Sequence, residues 1–183
     1  MRVGTCIGCL LLSATGVQAA AREPAEVTAG YSIFHEPFFP GLSRTYWLGA
    51  FVGGRTPSWH HLALTAETSL HNTRNDGFSD TVWALSGGVS LSTFRAVIAP
   101  ELHVRAGFQH ESVSQLDGPY RFSDTHRALE AGVSVRLPRS GRLQPLLGFD
   151  IRWVRYLHTQ PRLMYRTWDK RYAFNVGIAF QLR

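Results

Sequence analysis

The segment Tyr172 to Leu182 constrains this chain more than any other. Tyr172, Phe174, Val176, Ile178, Phe180 and Leu182 are large and apolar, and between them stand Ala173, Asn175, Gly177, Ala179 and Gln181. A strict period of two belongs to a β-strand with one apolar face and one small or polar face. The small face fits a narrow, wet interior. At about eleven residues the segment has the length a tilted strand needs to cross a bilayer.

The same alternation recurs upstream. Val27, Ala29, Tyr31 and Ile33 alternate with Thr28, Gly30, Ser32 and Phe34. A second strand runs from about Arg44 to Gly53, apolar on both faces from Tyr46 to Val52, and Gly54 to His60 turns the chain. The third sets Leu62, Leu64, Ala66 and Leu70 against Thr65, Glu67, Ser69 and His71; the fourth sets Trp83, Leu85, Val89 and Leu91 against Ala84, Ser86, Gly88 and Ser90. In the fifth, Ile98, Leu102, Val104, Ala106 and Phe108 alternate with Glu101, His103, Arg105, Gly107 and Gln109, and Pro100 belongs near the strand's start. The sixth opposes Leu129 to Leu137 with Ala128, Glu130, Gly132, Ser134 and Arg136, and the seventh opposes Leu147, Phe149, Ile151 and Trp153 with Gly148, Asp150 and Arg152. Polar stretches at Glu36–Ser43, Asn72–Asp80, Glu111–Asp124 and His158–Asp169 read as loops. Connections after odd strands are thus long and those after even strands short, as in outer-membrane barrels. The expectation is an all-β fold: an eight-stranded antiparallel up-and-down transmembrane β-barrel.

Arg2, the apolar run Val3–Val17 and the small residues around Ala19–Ala21 read as a secretory signal peptide over residues 1–21, leaving 22–183 as the barrel. Both cysteines, Cys6 and Cys9, fall inside that signal, so the mature part is expected to carry no disulfide. The formal charge is +6, and Lys170 is the sole lysine beside many arginines. Guanidinium groups suit acidic lipid head groups, whereas nucleic acid is not expected as a partner of an exported chain with no basic run. A soluble lipocalin-like barrel would share the alternation. Against it, the polar face is rich in Gly, Ala and Ser, and only 17% of the residues are charged.

The signal peptide, the eight alternating strands and the pattern Asn175-x-Gly177-x-x-Phe180-x-Leu182 resemble the small outer-membrane barrels of outer-membrane protein A and the opacity proteins. Asn175, Gly177, Phe180 and Leu182 occupy the places of that family's terminal assembly signal, although the chain ends on Arg183 rather than on an aromatic residue. The resemblance implies a monomer inserted by the outer-membrane assembly machinery, with a structural or surface-interaction role carried by its loops. It implies no cofactor and no single activity.

Four constellations invite a function. Glu67, Arg105, Glu130 and Arg152 should point inward near mid-height, with Glu101, His103 and Asp150 a layer nearer the periplasm. Paired, they fill a lumen too narrow for a channel; exchanging partners, they gate a small pore. His35, His71, His110, His126 and His158 fall at strand ends and read as interfacial side chains rather than a metal site. His110-Glu111-Ser112, with Glu130 or Asp124 as acid, is similar in spacing to lipid A deacylases, but Val113 replaces that family's Asn and the parity of His110 points it at lipid. Finally, Arg121, Arg127, Arg155, Arg162, Arg166, Lys170 and Arg171 gather at the outer ends of the last three strands, at the level of lipopolysaccharide phosphates, while Trp83, Trp153, Tyr165, Trp168 and Tyr172 suit aromatic girdles. No catalytic residue and no metal ligand is assigned.

Overall fold

A computed structural model describes residues 24–35, 46–75, 77–92, 98–138, 142–160 and 163–182; for residue 75, 157–160 and 163–167 the backbone alone is described. The expected signal peptide, the first loop, the tip of the last loop and Arg162 therefore lie outside the described residues. Eight antiparallel strands follow one another around a closed barrel: β1 Glu26–His35, β2 Tyr46–Arg55, β3 Leu62–Asn75, β4 Phe78–Ser92, β5 Ala99–Gln115, β6 Arg121–Arg136, β7 Leu143–Gln160 and β8 Leu163–Gln181. Closure is made by β1 against β8, from Glu26 opposite Gln181 to His35 opposite Tyr172. Each strand is hydrogen-bonded to a neighbour on both sides, the arrangement that lets a backbone cross hydrocarbon.

The parity expected from the sequence holds on every strand but β2, for which none was read and whose Trp47, Phe51 and Arg55 turn inward. Outward stand Tyr31, Leu48, Val52, Leu64, Leu85, Val104, Phe108, Leu129, Val176 and Ile178, all exposed, with Tyr31 at 78% and Val176 at 60%. A continuous apolar exterior of this kind is far larger than a soluble monomer shows. It needs lipid as its solvent. The buried set is the reverse and is dominated by polar and charged side chains.

Two features differ from the expectation. The stretches Asn72–Asp80, Glu111–Asp124 and His158–Asp169 are mostly strand, with β5 paired to β6 as far as Ser114 opposite Arg121 and β7 to β8 as far as Gln160 opposite Leu163. On β6 alternation fades because Arg121 to Thr125 are all exposed, while the ladder with β5 continues. The strand β2 also runs on to Arg55, which the sequence reading left in the turn. The hairpin after it is tight. Trp59 and Leu62 exchange backbone bonds of 2.6 and 2.9 Å, and His60 and His61 both have positive φ, 46° and 72°. Two such residues in succession match the strand-compatible I′ turn, where Asn-Gly is the usual occupant.

Candidate functional site

The strand termini Glu26 and Gln181 mark one end of the barrel, here the terminal end; the long hairpins project from the other, the hairpin end. Between them the lumen is filled in tiers.

At the terminal end, four strands each contribute one charge. Arg55 reaches Glu26 at 3.4 Å and Glu101 at 3.3 Å; Arg136 reaches the same two carboxylates at 3.0 and 2.6 Å. The result is a closed ring of alternating sign, and Arg55 also donates to Ser92 at 3.1 Å.

The second tier is centred on Arg105. Its guanidinium contacts Glu67 and Glu130 and lies 3.6 Å from Asp150. Arg152 grips Glu130 Oε2 through Nε at 2.8 Å and Nη2 at 2.6 Å. Asp150 accepts from Asn175 and lies 2.7 Å from His103 Nε2. Glu67, Arg105, Glu130 and Arg152 thus meet as expected, but His103 and Asp150 join them rather than a lower layer, and Glu101 alone belongs to the ring below. The His103 imidazole reaches the Asp150 carboxylate at 2.7 Å and lies 3.2 Å from Arg105 Nη2, which sets it beside Arg105 rather than beside Glu101. The ligating atoms of His103, Glu130 and Asp150 lie within 4.8 Å of one another, yet Arg105, Arg152 and Asn175 already occupy these oxygens. Arg105 supplies the positive charge that such a cluster calls for.

A glycine makes room for this tier. A side chain at Gly132 would be driven into the Asp150 carboxylate and the His103 imidazole. Gly132→Ala is expected to lower stability by about 1–3 kcal/mol, as overpacking does, read from urea unfolding in detergent. Between the two charged tiers lies a cavity of about 50 Å³ lined by Arg55, Glu67, Glu101, Arg105, Arg136 and Asp150.

Toward the hairpin end the filling turns aromatic. Phe34, Trp47, Val82 and Ala173 form a buried cluster across the lumen. Arg152 lies 4.6 Å over Phe34 and Arg171 5.0 Å over Trp47, so each face of the septum is sealed by a cation on a ring. Trp47 donates to Asp80 at 3.0 Å, and His71 hydrogen-bonds Ser32. Above them, Glu111 accepts from Arg171 at 3.0 Å and from the Tyr156 hydroxyl at 2.8 Å. Each of these tiers joins side chains from strands that are not neighbours in the wall.

Arg171 was expected at the lipid boundary; it is buried at 2% exposure inside the barrel. Lys170 faces out on β8, so its successor faces in. Arg121, Arg127 and Lys170 are exposed and Arg155 half-buried, while of Arg166 only the strand position is described. His110 is also on the exterior, hydrogen-bonded to Thr125 Oγ1 at 2.9 Å and Ser123 Oγ at 3.1 Å. Glu130 is inside, on the opposite face of the wall, and the Asp124 carboxylate accepts from the Thr125 N–H at 2.7 Å. The spacing His110-Glu111-Ser112 therefore does not assemble with an acid. His71 and His126 point inward and are buried, as parity required. Of Asn175, Gly177, Phe180 and Leu182, the first two line the interior and the last two the lipid face.

Glu26, Arg55, Arg136, Glu111 and Arg171 were not named as interior charges by the sequence reading. Arg136 shares the parity of Glu130, and Glu111 and Arg171 are in phase with Gln109 and Ala173, so phase carried the signal once the strands were lengthened. Arg55 was hidden by a strand apolar on both faces.

No family model and no curated protein matches the chain by sequence. Solved structures do. Neisserial surface protein A superposes with a TM-score of 0.70 at 10% identity, covering 89% of this chain and 100% of that one. Ail, the attachment invasion locus protein of Yersinia pestis, gives 0.59 at 10% identity over 87% and 99%. The outer membrane protein OprG from Pseudomonas aeruginosa gives 0.57 at 4% identity over 90% and 98%. The closed antiparallel topology agrees with these superpositions, and the chain has the fold of the small eight-stranded outer-membrane β-barrels.

Proposed function

We propose that this protein is a non-conducting barrel of the bacterial outer membrane, with its hairpin end outside the cell, that serves as a structural and surface-contact element rather than as an enzyme. The observation that carries this is the combination of a lumen crossed by successive tiers with hairpins that run on beyond the lipid-facing band. At their tips Phe78, Leu116, Tyr120 and Phe122 are 40–53% exposed, and Leu116 N–H donates to Gly77 at 2.7 Å, tying the β3–β4 and β5–β6 tips together. Exposed aromatic side chains held on a rigid sheet suit contact with another surface. A second structure of Ail, the attachment invasion locus protein, is a complex with the heparin analogue sucrose octasulfate, and a role in attachment is proposed here by analogy.

Two experiments test the reading. In planar bilayers the refolded protein should pass no steady current; steady conductance altered by Arg105→Gln would instead support the gated pore. Displayed on a non-adherent bacterium, the wild type should raise attachment to a protein-coated surface, and the variant with Phe78, Tyr120 and Phe122 all changed to Ser should lose most of it. Attachment no greater than that of cells without the protein would count against a surface-contact role.

A further inference from the structure

On the outward faces of β3 to β8, the large apolar residues stop at one definite position toward the hairpin end. After Leu70 comes Asn72 on β3, after Trp83 comes Thr81 on β4, and after Phe108 comes His110 on β5. On the next three strands that first polar residue is a cation each time: Arg127 above Leu129 on β6, Arg155 above Trp153 on β7, and Lys170 above Tyr172 on β8. The boundary between lipid and water is thus neutral along one arc of the barrel and carries three consecutive positive charges along another.

Register sharpens the point. Arg127 stands directly opposite Arg155, and this is the last pair of the β6–β7 ladder. Beyond it β6 and β7 each run on without pairing to one another. Like charges directly opposite on one face of a sheet repel. Inside the wall at this point the His126 and Tyr156 rings lie 4.2 Å apart, while the outer side carries the two guanidiniums. Among the described residues, no carboxylate pairs with Arg127, Arg155 or Lys170; Asp124 and Glu111 are turned to His126, Tyr156 and Arg171. Arg155 does rest 5.9 Å from the Trp168 ring, an aromatic at the interface that keeps the cation at this depth.

We propose that Arg127 and Arg155, with Lys170 beside them, hold a phosphomonoester of an outer-leaflet saccharolipid, the lipid A part of lipopolysaccharide. Each guanidinium offers a fork of donors that fits phosphate oxygens in pairs. A dianionic phosphomonoester between the two removes the repulsion across the seam and bridges β6 to β7 where their ladder ends. The lipid's acyl chains then lie against Leu129, Trp153 and Tyr172 directly below. This deepens the reading above, since it takes the hairpin end to face the outer leaflet.

The test is lipid retention by the refolded, detergent-solubilised barrel, measured by native mass spectrometry after incubation with purified lipid A. Wild type should retain lipid A, and the double variant Arg127→Gln/Arg155→Gln should retain about tenfold less. Lipid A stripped of its phosphates should bind wild type as weakly as intact lipid A binds the variant. Arg121→Gln, which removes an exposed cation near the hairpin tip, should bind like wild type. Equal retention by wild type and the double variant, or equal retention of dephosphorylated lipid, would overturn the site. Phosphatidylglycerol or inorganic phosphate binding as tightly as lipid A would overturn the choice of a saccharolipid. Unheated gel mobility, run on each sample, separates these outcomes from failure of the membrane fold: a barrel that inserts yet ignores the phosphate sinks this proposal alone. Arg127→Lys/Arg155→Lys keeps the charge and removes the forks, so retention between those of wild type and the Gln pair is expected.

Discussion

Glu130→Ala should destabilise the barrel by about 3–5 kcal/mol, the cost of leaving buried partners without their counter-charge. Glu130 is 2% exposed and neutralises Arg105 and Arg152 together. Removing it strands two buried guanidiniums, of which Arg105 lines the small cavity below and Arg152 does not. Glu67 and Asp150 remain beside Arg105, so the larger loss falls on Arg152, which among the described residues forms an ion pair with Glu130 alone. The intact network need not be a large net source of stability, since desolvation roughly offsets attraction in a fully paired cluster. Its importance shows when it is broken. Urea titration in lipid vesicles, followed by unheated gel mobility, reads the effect. Arg121→Ala near the hairpin tip is the comparison and should change stability by no more than about 0.5 kcal/mol; equal losses in both variants would remove the lumen plug from the account.

Val176→Arg should be costly for a different reason. Val176 is the middle member of the outward series Tyr172, Phe174, Val176, Ile178 and Phe180 on β8, and it is 60% exposed. In a soluble protein, an arginine at so open a position would be nearly neutral. At the centre of a bilayer it costs about 2–4 kcal/mol. The same substitution at Lys170 (Lys170→Arg), at the boundary, should cost almost nothing. Folding free energies of the two variants in vesicles give the contrast, and a neutral Val176→Arg would mean that this face does not meet hydrocarbon.

Much of this architecture was legible because a membrane barrel leaves a period-two signal on each strand. From Tyr172 to Leu182 the two faces were separable residue by residue, and the structure places them as read. The lipid-facing residues and the mid-height charges Glu67, Arg105, Glu130 and Arg152 followed from the same parity. The signal ran out where the solvent stopped differing between the two sides. From Arg121 to Thr125 on β6 every residue is exposed, so alternation has no selective cause there, and a strand that continues for several residues looked like a loop. The same error on β8 and β5 moved Arg171 to the wrong side of the wall and hid Glu111. On β2 the cause was the opposite: Trp47 and Phe51 fill the lumen with apolar groups, so both faces read alike and the phase of Arg55 was lost. The ring formed by Glu26, Arg55, Glu101 and Arg136 depends on which strands face each other across the lumen, and no local pattern records that.

The most direct measurement is the unheated gel mobility of residues 22–183 after refolding from urea, once into lipid vesicles and once into plain buffer. An exterior of Tyr31, Leu64, Val104 and Val176 over an interior of ion pairs should give a compact, heat-modifiable band in vesicles and aggregate in buffer. A compact, heat-modifiable species formed equally well in buffer, without lipid or detergent, would contradict a transmembrane barrel.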